Sequence, residues 1–304
     1  MSKHAYLIIS HNQPELLKSL VSLIDDKRND IYVHIDLKSD INLFQDIKVQ
    51  KSRLTFIPRI KVAWGDISQI KVELALFEVA VTSLIEYDYY HLLSGVDLPL
   101  KNQDYIHSFF EKNKGSEFLG FAPYPASKKE IDNRTKYHHV LQNYGRIQNT
   151  LLRYSVSAIK KFCIIIQKVL HIQKKYDFEF RMGTNWCSVT KDFAHYIVSR
   201  KENILKMYRK SICCDEVYKQ TLMYNSPFYK NVFQCENQFH QCLREIDWNR
   251  GSPYIYTEED YDMLIKSENL FARKFSEEHM ELINKLKDYV LGKSLKAPAP
   301  LSSH

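Results

Sequence analysis

The chain has 304 residues, 44% hydrophobic and 26% charged, enough to bury a large core as one big domain or two small ones; with 8 Gly it is neither collagen-like nor linker-rich. Lys and Arg number 43 against 36 Asp and Glu, and the resulting +7 suits an anionic ligand or an anionic membrane surface, with no nucleic-acid motif beside it. The six Cys include no C-x-x-C pair, which argues against a zinc site and a disulfide scaffold, so free thiols in a reducing compartment are expected.

The first residues form a short apolar run followed at once by a polar turn. They read as a strand over 5–10 and not as a signal peptide. A helix over 14–24 follows, with Pro14 near its start. Strands over 31–35 and 54–57 come next. A long helix over 67–85 is apolar at Ile70, Leu74, Phe77, Val81 and Leu84. A strand over 90–93 and a short helix over 105–112 complete this part. The alternation predicts βαβ units and a mainly parallel sheet. Ligands of such sheets bind at the carboxyl ends of the strands, where residues 10–12, 34–36 and 94–97 fall.

The middle, 123–180, is basic and irregular. Its segment 151–175 sets Ile159, Phe162, Ile165, Ile166, Val169 and Leu170 beside Lys160, Lys161, Lys168, Lys174 and Lys175. Two readings stand. Such a helix lies on a membrane surface as a peripheral contact, or it packs on the domain with its basic face in water. No uncharged apolar run of about 18 residues occurs, so no transmembrane helix is expected.

From 183 the pattern is mixed α/β. A strand over 183–190 leads to a helix over 192–206 and a helix starting at Asp215-Glu216. A strand over 243–248, a helix over 258–266, the segment 270–275 and a final helix follow. Asp215 is expected as an N-cap, and Glu216 stands where the helix dipole favours a carboxylate. Capping alone accounts for both acids, but a carboxylate held at the edge of an element can also serve as a general base. Nucleotide-binding glycine motifs, a nucleophile elbow and H-E-x-x-H are all missing. Asp260-Tyr261-Asp262 looks like the D-x-D metal motif of sugar-nucleotide enzymes, yet its setting reads as a capped helix start.

Several strand-end motifs occur in one order: Val33-His34-Ile35-Asp36, Trp64, Leu93-Ser94-Gly95-Val96-Asp97, the 183–190 strand, Asp215-Glu216 and Leu270-Phe271-Ala272-Arg273-Lys274-Phe275. With them the chain resembles the core-2/I-branching β-1,6-N-acetylglucosaminyltransferases and peptide O-xylosyltransferases, glycosyltransferase family 14, over about residues 4–290. The resemblance implies an α/β, GT-A-type nucleotide-sugar transferase fold with a mainly parallel central sheet flanked by helices. It implies an inverting transfer with no obligatory metal or other cofactor and with a UDP-sugar as donor substrate. Glu216 is the implied general base. Lys274 is the implied diphosphate contact, joined by Arg244 or, alternatively, Arg250. Val33 and Asp36 contact the nucleotide, with Trp64 and Asp97 beside them. Trp186, Arg134 and Lys136 are the candidate acceptor contacts.

N-acetylglucosamine is the first expectation for the sugar, with xylose, glucose or galactose as alternatives. The acceptor is a glycan or lipid-linked oligosaccharide. The chain lacks the membrane anchor and disulfide-rich region of animal members, so it reads as a bacterial, cytoplasmic form acting in surface-polysaccharide synthesis. One catalytic domain over 1–292 is expected, with a nucleotide-binding half over 1–120, an acceptor-binding half over 121–292 and a disordered tail over 293–304. A catalytically silent module that binds sugar nucleotides or glycans on the same fold is the alternative.

Overall fold

The computed structural model describes residues 2–144, 149–235 and 241–293. The expected tail over 293–304 therefore lies, apart from residue 293, outside the described residues. The chain begins with strand β1 (His4–Ser10), helix α1 (Pro14–Ile24), β2 (Asn29–Ile35), β3 (Arg53–Phe56), α2 (Ile67–Val81), β4 (Tyr89–Ser94), β5 (Leu98–Pro99) and α3 (Gln103–Lys112). It continues through β6 (Phe118–Leu119), α4 (Lys128–Thr135), α5 (Thr150–Val169), β7 (Cys187–Thr190), α6 (Lys191–Ser199), α7 (Lys201–Tyr208) and α8 (Tyr218–Tyr224). It ends with β8 (Arg244–Ile246), α9 (Tyr261–Lys266), β9 (Phe271–Arg273) and α10 (Met280–Val290).

A six-stranded sheet has the order β3-β2-β1-β4-β7-β6. Its first four strands are parallel, while β7 runs antiparallel to both β4 and β6. The α/β class with a mainly parallel sheet flanked by helices is thus what the chain adopts. A smaller sheet, β5-β9-β8, packs into the same core. Side chains alternate across the large sheet with the period of two that strands impose. Tyr6, Ile8, Val33 and Leu93 join one core layer with α1 and α10, while Ala5, Leu7, Tyr32 and Leu92 join the other with α2 and α6.

Three elements depart from their sequence-based bounds. Helix α2 begins where expected, capped by the Asp66 carboxylate on the Ser68 amide at 2.8 Å, but it stops at Val81. The Thr82 hydroxyl donates to the Glu78 carbonyl, and Leu84 is fully exposed instead of lying on the buried face. The expected helix over 192–206 is two, α6 and α7, which meet at Arg200. Residues 183–186 are loop, not ladder. A Cβ at Gly183 would lie 1.9 Å from the Gly120 carbonyl oxygen, so only glycine fits this crossing.

Candidate active site at the carboxyl ends of the strands

The parallel strands place their carboxyl ends on one rim, and hydrogen bonds link the loops that leave them. The Asp36 amide donates to the Ser10 carbonyl at 2.9 Å, and the Gly95 amide to the Ile9 carbonyl at 2.8 Å. A Cβ at Gly95 would lie 2.5 Å from the Ser10 hydroxyl, so β1 and β4 leave the sheet too close for any other residue. Asp36 is buried, and its carboxylate accepts the amides of Lys38 at 2.9 Å and Val62 at 3.4 Å. Val62 belongs to the loop after β3, which carries Trp64, 53% exposed, and Gly65. The Gly65 carbonyl in turn accepts the Cys213 amide at 2.9 Å, which brings the Asp215-Glu216 turn to this rim.

That turn differs from the expected capped helix. Cys214–Glu216 is a short 3-10 turn entered through Cys213 at φ 48, and α8 starts two residues later. Asp215 is not an N-cap. It is buried inside the turn and accepts the Gln69 side-chain amide at 2.9 Å. Burial, then the neighbouring Glu216 and Glu73, push its carboxyl up to about 7. Glu216 points the other way, with 36% of its side chain exposed. Its Oε2 accepts from Arg134 Nη1 at 2.7 Å, and the same nitrogen donates to the Cys213 carbonyl at 2.8 Å. Arg134 also pairs with Glu130. Lys136, its neighbour, pairs with Asp132 at 2.9 Å.

Beneath the turn lies a buried ion pair absent from the sequence reading. Lys219 Nζ pairs with Glu73 of α2 and donates to the Asn185 side-chain carbonyl at 2.6 Å and the Asp215 carbonyl at 3.0 Å. The Tyr218 hydroxyl donates to the same Glu73 oxygen at 2.8 Å. Burial raises the Glu73 carboxyl above its ordinary value, against the pull of Lys219. The signal for Lys219 was its place one helical turn after Asp215.

Asn185 leads to Trp186, over whose ring the Arg273 guanidinium lies at 4.5 Å. Arg273 Nη1 meets Asp97 Oδ1 at 2.7 Å, and Asp97 Oδ2 accepts the Ser94 amide at 2.8 Å. Asp97 is fully enclosed; burial raises its carboxyl, which Arg273 opposes. Arg273 escaped the sequence reading although it directly precedes Lys274. The half-buried Lys274 forms backbone bonds with Tyr254 and Tyr256, and Arg250 stacks over the Tyr254 ring at 4.0 Å. The Arg250 side chain and the Lys274 backbone therefore both meet Tyr254. Arg250 also pairs with Asp247 at 2.5 Å and Asp260 at 2.8 Å. Asp260 accepts the Thr257 amide at 2.8 Å, so it caps a helix start as expected.

Two implied nucleotide or diphosphate contacts sit elsewhere. The Val33 side chain is wholly buried in the core, and its carbonyl accepts the Ile57 amide, so it presents nothing to the rim. Arg244 is 1% exposed, and its guanidinium donates to the carbonyls of Cys242, Leu92 and Cys187 and to the Ser188 hydroxyl. It braces the junction between the two sheets, so Arg250 is the one of the two arginines that reaches the surface. Buried arginines without an acidic partner carry no sequence signal that separates them from ligand-binding ones.

An accessible carboxylate, fixed cations and aromatic rings along one rim of an α/β sheet suit a transferase acting on an anionic substrate. The sequence model of the Core-2/I-branching enzyme family matches residues 4–263, and the chain belongs to that family, glycosyltransferase family 14. It is 21% identical to xylosyltransferase 2 of Bos taurus over 95% of this chain and 33% of that protein, and 20% identical to xylosyltransferase 2 of Rattus norvegicus over 89% and 32%. The chain thus spans about a third of the length of the curated relatives it matches. The crystal structure of mouse xyloside xylosyltransferase 1, apo form, aligns with a TM-score of 0.37 and 11% identity, covering 90% of this chain and 97% of that one.

Proposed function

We propose that the chain is an inverting glycosyltransferase that moves a sugar from a UDP-sugar to a hydroxyl of a glycan acceptor, with Glu216 as general base. N-acetylglucosamine is the first donor sugar to test, followed by xylose, glucose and galactose. Family membership supports the reaction class. The observation that carries the residue assignment is the accessible Glu216 carboxylate, oriented by Arg134 at 2.7 Å on the rim where the strands end.

The chemistry follows from this placement. Glu216 takes the proton of the acceptor hydroxyl as its oxygen attacks the anomeric carbon. The bond from that carbon to the diphosphate oxygen breaks, and its electron pair leaves with UDP. Attack opposite the leaving group inverts the centre. The leaving diphosphate gathers negative charge, and Lys274 and Arg250 are the cations assigned to stabilise it; their common meeting with Tyr254 supports this reading. Trp64 and Trp186 offer rings to the nucleotide and sugar, and Arg134 and Lys136 border the acceptor side. Arg273 holds Asp97 and the Trp186 ring in place and acts as a positioning residue.

The test is a donor screen on the purified chain, reading UDP release with and without glycan acceptors. Acceptor-dependent release from one UDP-sugar is expected. Tight UDP-sugar binding with no turnover on any acceptor, and no slow hydrolysis, would favour the silent binding module instead.

A further inference from the structure

Helix α5 is built inside out. Of its 20 residues only Val156 and Gln167 are buried. The helix is held through polar contacts on that side. The Gln167 amide exchanges two hydrogen bonds with the His138 backbone, at 2.8 and 2.9 Å, and Lys160 Nζ donates to the Tyr144 carbonyl at 3.2 Å. Leu151, Phe162, Ile165 and Val169 point away from that side, and Ile159 and Ile166 continue the exposed stripe along one flank. Phe162 is 63% exposed, Ile165 56% and Val169 69%. None of these side chains belongs to either core layer, and α5 makes no extensive contact with another helix or strand among the described residues. The helix thus meets the domain along one narrow side, and its apolar side chains as well as its lysines face water.

The charge around this stripe is of one sign. No Asp or Glu occurs between Asp132 and Asp177. Lys161 and Lys168 are exposed on the helix, and at a helical step of about 100° per residue they lie along one border of the apolar stripe. Lys175 is exposed beyond its end. An apolar stripe edged by lysines, in a stretch of chain without acids, matches an anionic lipid surface: the side chains enter the acyl boundary and the ammonium groups meet phosphate. No described helix is long and apolar enough to cross a membrane, so the fit is to the surface.

We propose that the Phe162, Ile165, Ile166 and Val169 face of α5 docks the protein on an anionic bilayer. Through the Lys174–Lys136 backbone bond of 2.9 Å, the segment that follows α5 is joined to the stretch that carries Arg134, and Arg134 holds Glu216. Docking by α5 thus tethers to the lipid surface the part of the chain that holds the candidate base. If the glycosyltransferase reading holds, the acceptor it fits is a lipid-linked oligosaccharide.

The experiment is vesicle co-sedimentation of the full chain, without donor or acceptor, so its outcome is independent of any transferase activity. Vesicles of neutral phosphatidylcholine are compared with vesicles containing about a third phosphatidylglycerol. Binding to the anionic vesicles at least about tenfold tighter than to neutral ones is expected, weakening as salt rises to about 0.5 M. A Phe162→Ser/Ile165→Ser variant, changed only at exposed positions, is expected to lose binding while keeping its circular dichroism and melting temperature. A Lys161→Glu/Lys168→Glu variant is expected to lose the preference for anionic lipid. No binding by the unaltered chain overturns the proposal. So does a stable dimer that the Ser variant dissolves and that vesicles leave intact, because the stripe is then covered by a second copy.

Discussion

Arg134 Nη1 and Glu216 Oε2 meet at 2.7 Å, although 82 positions separate the two residues in the chain. Arg134 lies in the last turn of α4 and also bonds the Cys213 carbonyl, so the guanidinium that meets the carboxylate is itself held in place. A carboxylate held this way loses little freedom when an acceptor hydroxyl approaches.

Replacing the base tests that role directly. Glu216→Gln is expected to lower turnover by about 10²–10⁴ while leaving UDP affinity nearly unchanged. Steady-state UDP release and isothermal titration with UDP check the two halves. Near-normal turnover in the variant removes Glu216 from the mechanism. Arg134→Lys should fall between wild type and Arg134→Ala in kcat, with little change in KM for the donor, since it acts through Glu216.

The two candidate arginines should separate cleanly. Arg250→Ala and Lys274→Ala are expected to weaken UDP binding. Arg244→Met is expected to cost about 2–4 kcal/mol of stability, because several buried carbonyls lose their donor. Urea unfolding and UDP titration on all three variants decide this. Loss of UDP affinity in a fully stable Arg244→Met would contradict the bracing role.

Activity is expected to persist in excess EDTA. The motivation is the helix-capping role of Asp260, which takes the one D-x-D candidate away from metal chemistry, together with the cations near Tyr254. Complete loss on chelation, restored by Mn²⁺, would refute this and direct attention to Asp36 and Asp97.

Glu117 supplies a pH prediction away from the site. Burial pushes its carboxyl up to about 7, while the Thr190 hydroxyl and amide pull it down. The native state therefore holds this proton more tightly than the unfolded chain does. Its contribution falls as pH rises from the ordinary glutamate value toward 7. Buried His4, His34, His91 and His107 are all lowered, chiefly by burial, and act in the opposite sense: stability is lost as pH falls below about 6.5. The informative quantity is the difference between Glu117→Gln and wild type. It should grow in favour of the variant by up to about 3 kcal/mol between pH 4.5 and 7. A difference that stays flat in urea melts across that range would mean Glu117 is ionised at no unusual cost.

Periodicity made the sheet and its first helices legible, because α1 carries an apolar face with Pro14 at its start and α2 carries Ile70, Leu74 and Phe77 at helical spacing. It overran α2 because Leu84 sits at helical spacing but in water. The rim itself could be read from strand ends at Asp36 and Asp97. What could not be read were long-range polar partners. Gln69 at 2.9 Å from Asp215, the bond that withdraws Asp215 from capping, joins residues 146 positions apart. Asp97 meets Arg273 across 176. No local pattern reports such meetings, and the same is true of the carbonyls gathered around Arg244.

The enclosed Glu73–Lys219 pair also constrains how the chain can vary. Replacing Lys219 alone strands a carboxylate inside the protein, and replacing Glu73 alone strands an ammonium; breaking such a pair typically costs about 3–5 kcal/mol. Exchanging both for well-packed apolar residues is often nearly neutral. The two positions therefore form a single heritable unit, open to drift only as a couple. Since Lys219 lies three residues after Glu216, a library that randomises the candidate base's surroundings should vary position 73 along with 219, or most of its members will be selected out for folding before chemistry is sampled.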